Sequence, residues 1–292
     1  MTLASGDLTT LAAAKAYLTN APSDAVLSGL ITRISRMIQG TLNRSLLVPK
    51  TYTEQYNGTG TQMLVLPHWP LTTLMSLKIS GVSIPIAPQL DDVNSPPPNV
   101  PFGYRFQPWN GLPPGNPAIL ELVGYWFYGG HQNVVISYKA GYEVLSEAQT
   151  VPASSAFTIT PAAPFGSWAT DEGVTNATTG VAFTAVTGTP SAGQYVPPSP
   201  DAASPVLFYT FNSADASTPV LLNYGFIPSD LEQVVLEVIA ERASYRNRIG
   251  IRSQVLASQE TIVYENAGLS RWVIDAIMPY VSVLPPAIGA SV

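Results

Sequence analysis

A strand that runs directly into a capped helix constrains this chain more than any other stretch. Val220-Leu221-Leu222-Asn223-Tyr224-Gly225-Phe226 has β character, and Ile227-Pro228-Ser229-Asp230 follows at once. Ser229 can cap a helix, and Glu232, three residues on, can reach back to it, which makes a capping box. Val234, Val235, Val238, Ile239 and Ala243 then keep a helical period, and Gly250 closes the run. This helix leads into an arginine cluster, Arg242, Arg246, Arg248 and Arg252. The strand also has an echo upstream, Val134-Val135-Ile136-Ser137-Tyr138-Lys139-Ala140-Gly141-Tyr142. Between the two copies lie short β patterns at 156–160, 181–186 and 206–211, separated by turns. The simplest account is an all-β module, 143–218, of sandwich or barrel type. It is inserted at a loop tip, where folded cores tolerate insertion.

Three more helices are expected. One covers 8–18, with Thr9 or Thr10 as cap and Asn20-Ala21-Pro22 as breaker. A longer one covers 23–43, with Val26, Leu27, Leu30, Ile31, Ile34, Met37, Ile38 and Leu42 on one stripe. A last one covers 269–280, with Trp272, Val273, Ile274, Ile277 and Met278. After Pro49 the hydrophobic period changes to two, which places β-hairpins at 50–86 and 119–142, with a turn at Asn57-Gly58. The segment 87–118 is a long loop rich in Pro and aromatic residues. The expected fold is α+β: a small helical-bundle core with β-hairpins, made of 1–142 and 219–292, carrying the 143–218 module. The apolar, uncharged tail 281–292 awaits a partner.

Composition narrows the function classes. Charged residues make up 11 %, against a usual share of about a quarter. A surface so poor in charge is either neutral-polar or covered by other chains. The net charge of −6 is local, because 143–218 holds Glu143, Glu147, Asp171, Glu172, Asp201 and Asp215 and no Lys or Arg. With no cysteine, disulfides, thiol nucleophiles and thiolate metal sites are excluded. The first residues lack the basic and apolar regions of a signal peptide, and no apolar run is long enough to span a bilayer. A start in a cytoplasm, with no membrane partner, is the expectation.

Chemistry-bearing motifs are sparse. His68 and His131 have no Asp, Glu or His beside them at ligand spacing. Asp91-Asp92 and Asp171-Glu172 lack the oxygen-ligand spacing of a calcium loop. Gly58-Thr59-Gly60 lacks the Lys-Ser/Thr of a phosphate loop, and there is no Gly-x-Ser-x-Gly elbow. We therefore expect no enzyme, no cofactor and no metal. The arginines have three readings: a solvated face paired in cis with Glu237 and Glu241, contacts between subunits or with a docking partner, and contact with passing DNA. The last is weakest, since phosphate affinity needs a net basic surface. Trp69, Trp109 and Trp168 lie in or beside loops and are candidate exposed aromatic contacts, as interface anchors or sugar-stacking platforms. Tyr125-Trp126-Phe127-Tyr128 reads as core or inter-subunit packing.

Taken in order, several segments resemble the head-to-tail connector (adaptor) family of tailed bacteriophages. They are Leu8-Thr9-Thr10-Leu11-Ala12-Ala13-Ala14-Lys15-Ala16-Tyr17-Leu18, the 24–42 helix ending in Asn43-Arg44, Tyr52-Thr53-Glu54-Gln55-Tyr56-Asn57-Gly58 and Leu64-Val65-Leu66-Pro67-His68-Trp69-Pro70-Leu71. Tyr138-Lys139-Ala140-Gly141-Tyr142, Ile227-Pro228-Ser229-Asp230-Leu231 and the arginine helix complete the set. The likeness covers roughly 5–80, 133–142 and 219–280; the 143–218 module and the long loop depart from it. The resemblance implies a virion neck protein, assembled in the bacterial host cytoplasm. It implies a homo-oligomeric ring, a dodecamer in the virion, docked below the portal protein. Such a ring extends the channel for double-stranded DNA, without sequence-specific binding, and receives the next neck or tail protein. Its subunits can stay monomeric until the portal templates them. On that reading Arg242, Arg246, Arg248, Arg252, Trp272 and Ile277 make inter-subunit or portal contacts. The alternative is a phage decoration or tail-tip protein with a carbohydrate- or surface-binding β module.

Overall fold

The computed structural model describes residues 6–44, 46–85, 102–107, 119–200, 205–245, 253–256, 260–263 and 269–282. Contacts divide the chain into two compact units. One comprises Leu46–Val144, Tyr224–Phe226 and Ser282–Val292; the other comprises Met1–Ser45, Leu145–Asn223 and Ile227–Val281.

The first unit is built of strands β1 (Lys50–Gly58), β2 (Met63–Val65), β3 (Leu71–Ile79), β4 (Val82–Ser83), β5 (Gly103–Gln107), β6 (Ile119–Val123) and β7 (Gly130–Ala140). They form two sheets, ordered β1-β7-β3-β4 and β2-β6-β5. β7 is central, antiparallel to β1 (Tyr52 opposite Tyr138) and to β3 (Leu77 opposite Ile136). Because side chains alternate across a strand, Val134, Ile136 and Tyr138 point to one buried face. They meet Leu71, Leu74, Leu77 and Ile79 of β3 and, from the other sheet, Leu64, Leu120, Leu122 and Tyr104.

The second unit holds α1 (Leu11–Tyr17), α2 (Asp24–Thr41), α3 (Ser229–Tyr245) and α4 (Arg271–Ile277), the last continued by a 3-10 turn, Met278–Tyr280. Thr10 caps α1 by accepting the Ala13 N–H at 3.1 Å. The segment before α1 is tied to α2: the Leu8 N–H donates to Ser35 Oγ, Thr32 Oγ1 to Asp7, and Gln39 Nε2 to the Gly6 carbonyl. The strands that follow, of which the start of β8 and Tyr224–Phe226 of β14 belong to the first unit, are β8 (Glu143–Thr150), β9 (Thr158–Ile159), β10 (Gly166–Asn176), β11 (Thr184–Ala185), β12 (Gln194–Val196), β13 (Tyr209–Phe211), β14 (Pro219–Pro228), β15 (Ser253–Leu256) and β16 (Glu260–Val263). They pair in the orders β10-β14-β8, β11-β12-β13-β9 and β15-β16.

The expected helical-bundle core with β-hairpins is corrected here. The structure is mostly β, 38 % strand against 25 % helical, with four helices and several antiparallel sheets among the described residues. Two of those helices are only seven residues long. The reason lies in strand pairing. Alternation marks a strand but not its partner, and the hairpin reading paired neighbours in sequence. β1 instead pairs with β7, and β7 bridges β1 and β3 into one extended sheet.

Candidate assembly interface

Two clusters of titratable side chains stand out among the described residues, and both close on themselves. In the first, Glu54 on β1 accepts hydrogen bonds from the Tyr56 hydroxyl and, at 2.6 Å, from the Tyr138 hydroxyl. His68 Nε2 lies 3.4 Å from its other oxygen. Burial, then the Glu54 hydrogen bond, push both phenols well above the usual tyrosine range, so they remain neutral donors. In the second, Asp171 on β10 accepts from Tyr195 at 2.6 Å and from Tyr209 at 3.2 Å. Trp168 Nε1 donates in turn to the Tyr209 hydroxyl at 3.0 Å. Burial lifts the Asp171 carboxyl above its ordinary value against the pull of these donors. Each polar atom named here already has a partner within its own cluster, which is how buried polar groups are kept at low cost.

The acidic residues of 143–218 are likewise consumed internally. Glu143 is 3 % exposed and pairs with Lys139 at 2.6 Å. Glu147 accepts from Gln149 Nε2 and the Ala162 N–H, each at 2.9 Å. Glu172 accepts from Thr170, and both oxygens of Asp215 accept the Gly193 N–H. Asp201 lies outside the described residues. Among the described residues these carboxylates are therefore engaged with backbone and side-chain donors.

The surface carries apolar side chains instead. In the first unit Met63 and Val65 point outward from β2 while Leu64 points in. The run after β6 splits in the same way: Phe127 is fully buried, while Trp126 (47 % exposed) and Tyr128 (62 %) face solvent. In the second unit α4 buries Val273 and Ile277 yet exposes Trp272 (46 %) and Ile274, and Met278 of the turn that follows is 60 % exposed. The exposed side of the same helix also carries Arg271 and Asp275, whose charged groups lie 3.9 Å apart.

The expected contact residues separate accordingly. Trp272 is on the surface, whereas Ile277 is buried within its own unit. Arg242 sits half-buried in the last turn of α3. Arg246, Arg248, Arg252 and Trp109 lie outside the described residues. Trp69, expected as an exposed aromatic, is buried and packs edge-on against Tyr142 at 6.4 Å between centroids. Trp168 is half-buried and tied through Nε1 to Tyr209, a partner no local pattern could announce. Trp126, which the sequence places in or beside a loop and in an aromatic run read as packing, is exposed; alternation along 125–128 is the signal that singles it out. Comparison with family models and with curated proteins finds no match. Among the described residues no helix is long and apolar enough to cross a membrane, and no group of three metal-ligating side chains converges.

Proposed function

We propose that this chain is a virion structural protein, a head-to-tail connector. On this reading copies of it form a ring below the portal that extends the DNA channel and offers the attachment surface for the next neck or tail protein. The observation that carries the reading is the outer face of α4. Trp272 and Ile274 on α4, and Met278 in the turn after it, are exposed while Val273 and Ile277 of the same helix are packed, in a chain with only 11 % charged residues. Aromatic and Met side chains are the types enriched at protein interfaces, and Lys and Glu the types depleted. The ordered sequence likeness to phage connectors supplies the kind of assembly.

Quantitative mass spectrometry of DNA-filled particles, empty heads and isolated tails from the encoding phage tests this. The expected result is low copy number, near that of the portal, in filled particles. High copy number on every head would replace the connector with a decoration protein. Presence only in tails would favour the tail-tip reading.

A further inference from the structure

The Glu54 cluster contains a group that ordinarily changes charge between about pH 5 and 8, the imidazole of His68. His68 lies in the turn between β2 and β3. Its ring stacks on Tyr52 with centroids 3.8 Å apart and 9° between planes. Its Nε2 faces Oε1 of Glu54 at 3.4 Å, while the two phenols occupy Oε2. The carboxylate is thus divided, with one oxygen held by hydroxyls from β1 and β7 and the other turned to the imidazole.

Three elements among the described residues supply charged and titratable groups to this pair. β1 supplies Glu54, Tyr52, Tyr56 and Lys50, whose ammonium lies 5.5 Å from the Tyr52 ring centroid. β7 supplies Tyr138, and the turn supplies His68 itself. The phenols stay neutral near neutral pH. Lys50 opposes a second positive charge. Glu54 favours it from direct contact, and the nearer charge dominates. The same turn makes a second attachment: Ser282, buried, donates its hydroxyl to the Pro67 carbonyl at 2.8 Å. The residue beside His68 therefore holds the last described residue of the chain.

We propose that His68 and Glu54 form a proton-controlled latch that, when His68 is protonated, holds the 66–70 turn, and Ser282 with it, against β1. Proton binding and ion pairing are linked. The latch's contribution is therefore present in acid and lost as pH rises through the imidazole range. Both partners are partly exposed, with side chains 30 % and 28 % accessible. Solvent accordingly screens the pair, and a modest effect is expected.

Amide hydrogen exchange on the full chain, converted to protection factors at about pH 5.5 and about pH 8, tests the latch. In the wild type, protection of the amides of Leu66, His68, Trp69, Leu71 and Ser282 should fall about two- to five-fold at the higher pH, the size a partly exposed ion pair supports. His68→Gln should show the lower protection at both pH values. Glu54→Gln, which keeps an acceptor for the phenols, should abolish the pH response as well. His131→Gln, at the exposed second histidine, should keep it. Protection along β7 should be unchanged in all variants, which separates a local latch from general destabilisation. A pH response that survives in either His68→Gln or Glu54→Gln overturns the proposal.

Discussion

Glu232 is 8 % exposed in the first turn of α3, where its carboxylate takes the hydroxyls of Thr9, at 2.9 Å, and of Ser167. The Ser229 N–H, which a capping box would give to this glutamate, is taken by the Phe165 carbonyl at 3.2 Å. One side chain thus joins the segment before α1, the start of β10 and the start of α3, all within one unit. Removing it strands two hydroxyls. Glu232→Ala should lower the unfolding free energy by about 2–3 kcal/mol, the range for hydrogen bonds to a charged acceptor. Urea denaturation of the full chain measures this. A loss no larger than that of an exposed control such as Glu237→Ala would show that the carboxylate is not a tie. The spacing of Ser229 and Glu232 was legible in the sequence, and so was a helix start. The partners were not, because Thr9 and Ser167 are distant in the chain and a hydroxyl carries no pattern that announces its acceptor. His68 was hidden for the same reason: its carboxylate partner lies fourteen positions upstream and meets it only once β1 and the following turn are folded.

At the level of elements, the helices were readable because their information is local: a cap, a stripe and a stop. α2 spans Asp24–Thr41 within the expected 23–43, and its stripe residues Leu27, Ile31, Ile34 and Ile38 are buried. Strands carry less local information. Alternation along β1 and β7 gave their character, but the choice between hairpins and one extended sheet depends on pairings across long chain separations, which loop-closure and packing decide. Glycines record such choices where backbones approach closely. Asn57-Gly58 read as a turn, yet β1 continues through it, and a Cβ at Gly58 would lie 1.7 Å from the Tyr128 carbonyl oxygen. Gly166, at the start of β10, is the counterpart beside α3: a Cβ there would lie 1.9 Å from the Ile227 carbonyl oxygen and 2.9 Å from the Ser229 nitrogen. These neighbours are backbone and cannot rotate aside. Gly166→Ala should therefore cost at least the ~1–3 kcal/mol of overpacking, read as a lowered melting temperature. A variant as stable as the wild type would mean that β10 does not sit this closely on the junction of β14 and α3.

For the molecule as a whole, the scarcity of charge and its internal use are one fact seen twice. Glu143 and Asp215 are buried and Glu147 and Asp171 half-buried, each engaged with internal donors, while Trp126, Tyr128, Trp272 and Met278 are exposed. Composition made the low charge legible; it could not show which acids turn inward. A surface of this kind favours association. Yet a stable interface removes about 1,600 Å² from solvent, more than the few exposed side chains of α4 can supply alone. Association through α4 should therefore be weak and concentration-dependent in the isolated protein. Sedimentation velocity from micromolar to near-millimolar concentration should show wild-type mass rising above 31.1 kDa. Trp272→Glu with Met278→Glu should hold the monomer mass while leaving the melting temperature within about 1 kcal/mol equivalent, since both sites are exposed. Loss of a central aromatic anchor costs an interface about 2 kcal/mol or more, roughly a thirty-fold weakening, so a real contact would fall out of the measurable range. If wild type and variant sediment alike at every concentration, the outer face of α4 does not join copies of this chain.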